Sequence, residues 1–278
     1  MGNRPKLIIL ITAVLFVIMP FLFWRSTWFG LPLNDKEMEE AFADAEHPRK
    51  AQHALTQVAE RINSPNPQAR ESARRWYPQV MALAGNARDE LRTTAAWVMG
   101  QDNQAEEFRE PLKRLLQDPN PMVRHNAALA LVRFGDASGR DDILEMLRPY
   151  IVRAGAAGAL AQRLQPVEVV NPGTLVGHIK AGEKEFEIRS IVSGRVRRWL
   201  FNDGASVVPG DRILEIGPSA DMVWEALRAL ALIGRPEDEI DVEFYLHPVP
   251  GMPVRIENQA RETIRAIQKR NPPNPASH

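Results

Sequence analysis

The chain contains no cysteine. That excludes disulfides, thiolate metal sites and a cysteine nucleophile, and it leaves the redox compartment open. Net charge is also absent: 35 Lys and Arg balance 35 Asp and Glu. Long-range attraction to a polyanion therefore has no basis, and nucleic acid is not an expected partner. Catalytic signatures are missing as well. There is no Gly-x-Ser-x-Gly elbow and no His-Glu-x-x-His pair, and the six histidines (His47, His53, His125, His178, His247, His278) are scattered without metal-ligand spacing. The run Gly173 to Lys180 lacks the Gly-Lys-Ser/Thr of a phosphate loop. No catalytic residue, metal ligand or cofactor is assigned from these patterns, and the expectation is a non-enzymatic protein.

One long apolar run is present. Leu7 to Trp24 carries no charge, and its length just reaches the roughly 20 residues a helix needs to cross a bilayer. Arg4 and Lys6 precede it, while Trp24, Arg25 and Trp28 follow, as interfacial residues do. A cleaved signal peptide is the competing reading, but Phe-Trp-Arg-Ser-Thr-Trp-Phe is a poor cleavage site. The pattern predicts a short tail (1–6), a single-pass transmembrane anchor (7–27) and a juxtamembrane linker or helix (28–50). The small basic bias of the tail favours an inside N-terminus. The bulk of the chain is then extracytoplasmic, and periplasmic in a Gram-negative bacterium.

From 51 to 148 the pattern is helical and repetitive. Ile62-Asn63-Ser64-Pro65-Asn66-Pro67-Gln68-Ala69-Arg70 parallels Leu116-Gln117-Asp118-Pro119-Asn120-Pro121-Met122-Val123-Arg124. Turn-forming side chains and prolines end one helix and start the next. Apolar positions then recur on one face at Val123, Ala127, Leu131 and Phe134, closed by Gly135, and again at Leu91, Ala95 and Val98. The same face returns at Met222, Ala226, Leu230 and Ile233, and in degenerate form at Ile256, Ala260 and Ile264, giving a C-terminal helical segment (219–269). The proline-rich end (270–278) is expected to be disordered. Asp118 through Gly135 resemble HEAT-like repeats, in which Asp-x-x-x-Val-Arg-x-x-Ala-Ala-x-Ala-Leu opens the second helix. Small residues there let neighbouring helix pairs stack closely.

Between the helical segments, residues 149–218 contain one pattern twice. Ile151-Val152-Arg153, Gly158-Ala159-Leu160, Val170, Pro172-Gly173 and Leu175 to Ile179 are followed by Ile188-Arg189, Gly194-Arg195-Val196, Val207, Pro209-Gly210 and Ile213 to Ile216. Each copy is a set of short β-branched runs with a Pro-Gly pair, as a type II turn requires. Asn202-Asp203-Gly204 reads as a hairpin turn. Each copy is expected to supply half of one compact β-unit placed in a loop of the helical stack.

The positions Gly194, Val196, Trp199, Phe201, Gly204, Val207, Gly210 and Ile213, with Gly158, Leu160, Val170, Gly173 and Ile179 in the first copy, resemble the half-motifs of the biotinyl/lipoyl domain. They are similar also to its relative, the barrel-sandwich hybrid of HlyD-type membrane-fusion adaptors. That resemblance implies a carrier lysine in the hairpin between the halves. Counting back from Gly194, the lysine position falls on Glu183; Lys184 is one residue late, and neither usual flank is present. Arg195, Arg197 and Arg198 offer a basic patch for an acidic partner or lipid headgroups, or simply charged edges that discourage aggregation.

The fold class expected is α+β multidomain: a transmembrane helix, then an α-solenoid of HEAT-like repeats interrupted by a small lipoyl-like β barrel-sandwich. The leading function is a membrane-anchored scaffold or adaptor for an unidentified protein partner, of the kind that accompanies an envelope transport system. The alternative is a biotin- or lipoyl-type carrier modified at Lys184 or Lys180. A bilin-lyase-like chaperone, suggested by the HEAT side alone, is a third reading.

Overall fold

The computed structural model describes residues 32–44 and 47–271, together with Phe16 and Met19. The anchor expected at 7–27 lies outside the described residues but for those two; of the tail expected to be disordered at 270–278, residues 272–278 also lie outside them, whereas Arg270 is the last residue of a helix. Among the described residues, no helix is long and apolar enough to cross a membrane. The chain forms two compact units, Met1–Gln79 and Val80–His278.

In the first unit, Asn34 caps helix α1 (Asp35–Ala43) in a reciprocal box with Glu37. Helix α2 (Pro48–Ile62) buries Ala51, Ala54, Leu55, Val58 and Ile62 along one stripe. Helix α3 (Pro67–Arg74) starts on Asn66, whose side chain accepts from the Gln68 N–H. Arg70 donates to the Ser64 carbonyl at 2.8 Å, which ties the new helix back to the turn before it. The chain then breaks before α4 (Tyr77–Leu83), so this copy carries two short helices where the later ones carry one.

The second unit repeats this turn chemistry. In α5 (Asp89–Met99), Arg92 donates to the Asn86 carbonyl at 2.9 Å, and in α7 (Pro121–Arg133) Arg124 donates to that of Asp118 at 3.1 Å. Arg92 also reaches forward to both oxygens of Asp118, at 2.6 and 2.9 Å. Arg124 reaches forward to Asp142 at 2.9 Å and Glu145 at 2.6 Å, so each arginine ties its own turn to the next. Between them lies α6 (Arg109–Leu115), and α8 (Arg140–Glu145) follows. A Cβ on Gly139 would come within 2.6 Å of the Ala128 Cβ. The small residues on these faces are therefore required by the spacing.

Eight strands then form two four-stranded sheets: β1 (Tyr150–Arg153), β2 (Gly158–Gln162), β3 (Val169–Val170), β4 (Leu175–Ala181), β5 (Lys184–Arg189), β6 (Gly194–Trp199), β7 (Ser206–Val207) and β8 (Arg212–Pro218). Their orders are β1-β8-β6-β3 and β5-β4-β2-β7. Adding four to each strand number of the first sheet, with β8 returning to β4, yields the second. The two halves are thus interleaved, each giving two strands to each sheet, around a core that includes Leu160, Val170, Val176, Ile179, Val196, Val207, Ile213 and Ile216. Both Pro-Gly turns adopt the left-handed glycine expected of them, with φ 86° at Gly173 and 94° at Gly210. Gly158 and Gly194 sit where a Cβ would strike the carbonyls of Lys180 and Gly217, at 2.3 and 2.1 Å. One glycine in each half therefore permits the close approach of β2 to β4 and of β6 to β8.

One expectation is corrected. Asn202-Asp203-Gly204 does make a turn, but not a hairpin: β6 pairs with β8 and β3, whereas β7 pairs with β2 in the other sheet. The turn carries the chain from sheet to sheet because the Gly204 N–H is taken by the Leu160 carbonyl at 2.7 Å. The mirrored connection between β2 and β3 has the matching bond, Val167 N–H to the Val196 carbonyl at 2.7 Å. Val167 has φ 79°, against 78° at Gly204.

Helix resumes at α9 (Ala220–Ile233), capped by Ser219. It packs on α7 and α8, the helices before the β-unit, and on α11 (Val254–Arg270). The helical core thus runs on past the insertion, through Ala128, Ile143, Val223, Leu227, Leu230 and Ala260. Before α11, the short α10 (Glu239–Glu243) is fixed by Asp238, which is 1% exposed. Arg140 grips both its oxygens, and the Arg235 N–H donates to it at 2.8 Å.

Candidate functional site

Helices α5, α7, α9 and α11 pack in that order, and they line a groove of about 510 Å³. Each presents to the groove the residues that the stacking face leaves over. Trp97 precedes the buried Val98 and Met99 and remains 42% exposed; Leu232 follows the buried Leu230 and is 67% exposed. Leu129 adds a partly buried apolar surface between them, while Arg133 and Arg228 supply charge. Arg133 donates to the Gly100 carbonyl at 3.1 Å, which fixes its stem. Arg228 lies 3.7 Å from Glu225 with both side chains exposed. An exposed tryptophan and leucine in one concave surface with a charged border has the composition of a docking surface. No set of proton-transfer groups lies in it. Among the described residues, no cluster of three or more His, Asp or Glu side chains could hold a metal ion.

The residues singled out from the sequence are dispersed. Arg195 donates to the Val167 carbonyl at 3.1 Å and lies beside Gly251. Arg197 is the extra residue of a β-bulge and is exposed. Arg198 is committed to Glu215 through two bonds of 2.9 Å, and that bidentate pair holds the Glu215 carboxyl below its ordinary range. The three arginines therefore have three different surroundings.

Lys180 and Lys184 are both exposed on the β4–β5 hairpin, opposite Glu185 and Ala181 respectively. The two-residue turn between the strands is Gly182-Glu183, with φ 63° at Gly182. Lys184 thus closes the hairpin, and Glu183 occupies its tip. Trp199, partly buried, packs on the β-core and donates its indole N–H to the Leu164 carbonyl at 2.9 Å.

Sequence reasoning did not find the groove. Its signal was available only as apolar residues lying off the buried stripe, Trp97 beside Val98 and Leu232 beside Ile233.

Comparison with known proteins agrees with the helical half. A family model for HEAT repeats matches residues 77–161, which takes in helices α4 to α8 and runs into the first two strands. No curated protein matches the chain. Among solved structures it is similar to one described as "Structure and function of a single-chain, multi-domain long-chain acyl-coa carboxylase", at 19% identity and a TM-score of 0.25. That match covers 45% of this chain and 14% of the other, and a similarity of this degree defines neither fold nor activity here.

Proposed function

We propose that the chain is a non-enzymatic scaffold that binds a protein partner through the groove of its HEAT stack, held at a membrane by residues 7–27. The observation that carries this reading is the exposure of Trp97 and Leu232 in one concave surface with Arg133 and Arg228 at its border. The partner that fits presents an apolar anchor flanked by acidic residues, since buried aromatic contacts dominate affinity and border charges set orientation. HEAT repeats serve protein interaction, which supports the reading from the family side. The apolar run Leu7 to Trp24 supports the membrane location. The partition into repeats at 51–148, a β-insertion at 149–218 and helices at 219–269 belongs to the same proposal. In it the β-unit, built like a barrel-sandwich of the lipoyl type, adds a second docking face.

The test is quantitative recovery of associated proteins with the intact chain and with a Trp97→Ser, Leu232→Ser double variant. Both side chains are substantially exposed, so the variant keeps its fold. The proposal expects at least one protein to be lost with the double variant and kept with Ile240→Ser, which removes another exposed side chain outside the groove. Identical recoveries would end it.

A second reading is favoured by the interleaved sheet order and by two exposed lysines on the central hairpin. On this reading the chain carries biotin or lipoate at Lys184 or Lys180. Intact mass decides between them: an added acyl group that disappears in Lys184→Arg or Lys180→Arg supports the carrier, and an unmodified mass from cells with active ligases removes it.

A further inference from the structure

The seam between the helical stack and the β-unit holds a cavity of about 230 Å³. Helices α7 and α8 close it on one side, and β1, β8 and the turn at 192–193 on the other. His125 lines it and is 4% exposed, yet among the described residues neither ring nitrogen has a hydrogen-bond partner. A Glu145 oxygen stands 3.6 Å from Nε2, beyond hydrogen-bond length. A buried polar group left so is costly unless something in the adjoining space pairs with it.

Charge excludes an ion as that something. The lining carries Glu145 and Arg148, whose charges cancel. Each is also held already: Glu145 accepts from Arg124 at 2.6 Å, and Arg148 donates to Asp241 at 2.9 and 2.7 Å. An ammonium or carboxylate group would leave water for a site with no counter-charge to spare. Water alone is a poor filling too. Much of the wall is apolar, with Ile151, Ile216 and Met222, and there a water finds few partners, whereas a buried water makes about three hydrogen bonds. Size sets the rest: a cavity of about 150 Å³ takes benzene, so this one has room for a six-membered ring and a polar substituent.

We propose that this seam binds a neutral molecule, a compact apolar ring bearing one hydroxyl group. A hydroxyl both donates and accepts, so it pairs with a His125 nitrogen whether or not that nitrogen carries hydrogen. The ring lies against Ile216 and Met222. The site is separate from the groove, and its failure would leave the scaffold reading untouched.

Phenol and fluorobenzene test it, since they share one shape and differ in the hydroxyl; benzylamine and benzoate, both charged at pH 7, are the ionic controls. Each is titrated to millimolar concentration against the full chain. The readout is the Met222 methyl resonance, assigned by its loss in Met222→Leu. The expected result is a saturable shift with phenol, at least about tenfold weaker binding of fluorobenzene, and none of either ion. In His125→Leu, with the fold checked by circular dichroism, phenol should lose its advantage over fluorobenzene. The two neutral probes on the unaltered chain decide the matter even where that variant does not fold. No saturable response to phenol would mean a cavity that holds only water, and equal responses to phenol and fluorobenzene a simply apolar one. An ion bound as tightly as phenol, or a phenol preference that survives in folded His125→Leu, would place the selection elsewhere. Each of these results would overturn the proposal.

Discussion

Val167 is a β-branched residue in the left-handed region, at φ 79°. It stands where the mirrored connection of the β-unit has Gly204 at 78°. Its conformation is imposed from outside: the Val167 N–H is held by the Val196 carbonyl, and the Val196 N–H by that of Glu168 at 2.9 Å. The partner half makes the same two bonds through Gly204, Ala205 and Leu160. Such strain in a β-branched residue costs about 2 kcal/mol. Replacing Val167 by glycine relieves it, and two terms work against the gain. The side chain is 66% exposed, so about 0.5 kcal/mol of burial is lost. Added freedom of the unfolded chain costs about 0.5 kcal/mol more. Val167→Gly should therefore stabilise the β-unit by about 1 kcal/mol. The reciprocal Gly204→Val meets no atom within 4 Å, so its loss of about 2 kcal/mol would come from the backbone alone. Native-state hydrogen exchange of the β6 and β2 amides measures both locally, and urea midpoints measure them globally. A neutral or destabilising Val167→Gly alongside a costly Gly204→Val would show that the two connections are not equivalent, and would refute the reasoning.

Other consequences follow from the helical half. Asp238→Asn removes the buried carboxylate from Arg140, which keeps the exposed Glu237 at 3.0 Å, and should cost about 2 kcal/mol by urea unfolding; a loss below about 1 kcal/mol would mean that α10 is held otherwise. Gly139→Ala forces a methyl to within 2.6 Å of the Ala128 Cβ and should cost about 2 kcal/mol by overpacking. The Gly139→Ala, Ala128→Gly double variant should recover little of that loss, because the Ala128 Cα also lies 2.7 Å from the new Cβ, and full recovery would contradict a backbone clash. Glu145 is held at about 2, below its ordinary 4.5. Its contribution to stability is therefore complete above about pH 4.5 and is lost as pH falls toward 2. Glu145→Gln should flatten that part of the acid unfolding curve, and a variant with the unaltered slope would contradict the assignment.

Local chemistry was legible wherever one residue type has one backbone use. The Pro-Gly turns at Gly173 and Gly210 and the glycine Gly135 at the end of α7 follow from short-range rules. The repeated Asn-Pro turns disclosed a helical repeat, of which the HEAT family model matches residues 77–161, and the duplicated pattern disclosed a β-unit of two similar halves. Long-range pairing was not legible. Asn202-Asp203-Gly204 has hairpin chemistry, but the Leu160 carbonyl, about forty residues back, decides where the strand goes. Val167 carries no mark of its left-handed backbone, because tertiary hydrogen bonds impose it on a residue that resists it. The groove escaped notice for another reason: a periodic reading looks for residues that are buried, and Trp97 and Leu232 matter because they are not. Counting along the chain did place Glu183 at the hairpin tip and Lys184 beside it, since two-residue turns leave no slack in register.

The scaffold reading rests on the groove, and site-specific photocrosslinking in cells tests it most directly. A photoreactive residue in place of Leu232 should yield one reproducible protein adduct, reduced by Trp97→Ser and absent when the same residue replaces Ile240. Adducts that are the same at both positions, or an adduct at 232 indifferent to Trp97, would contradict a docking groove.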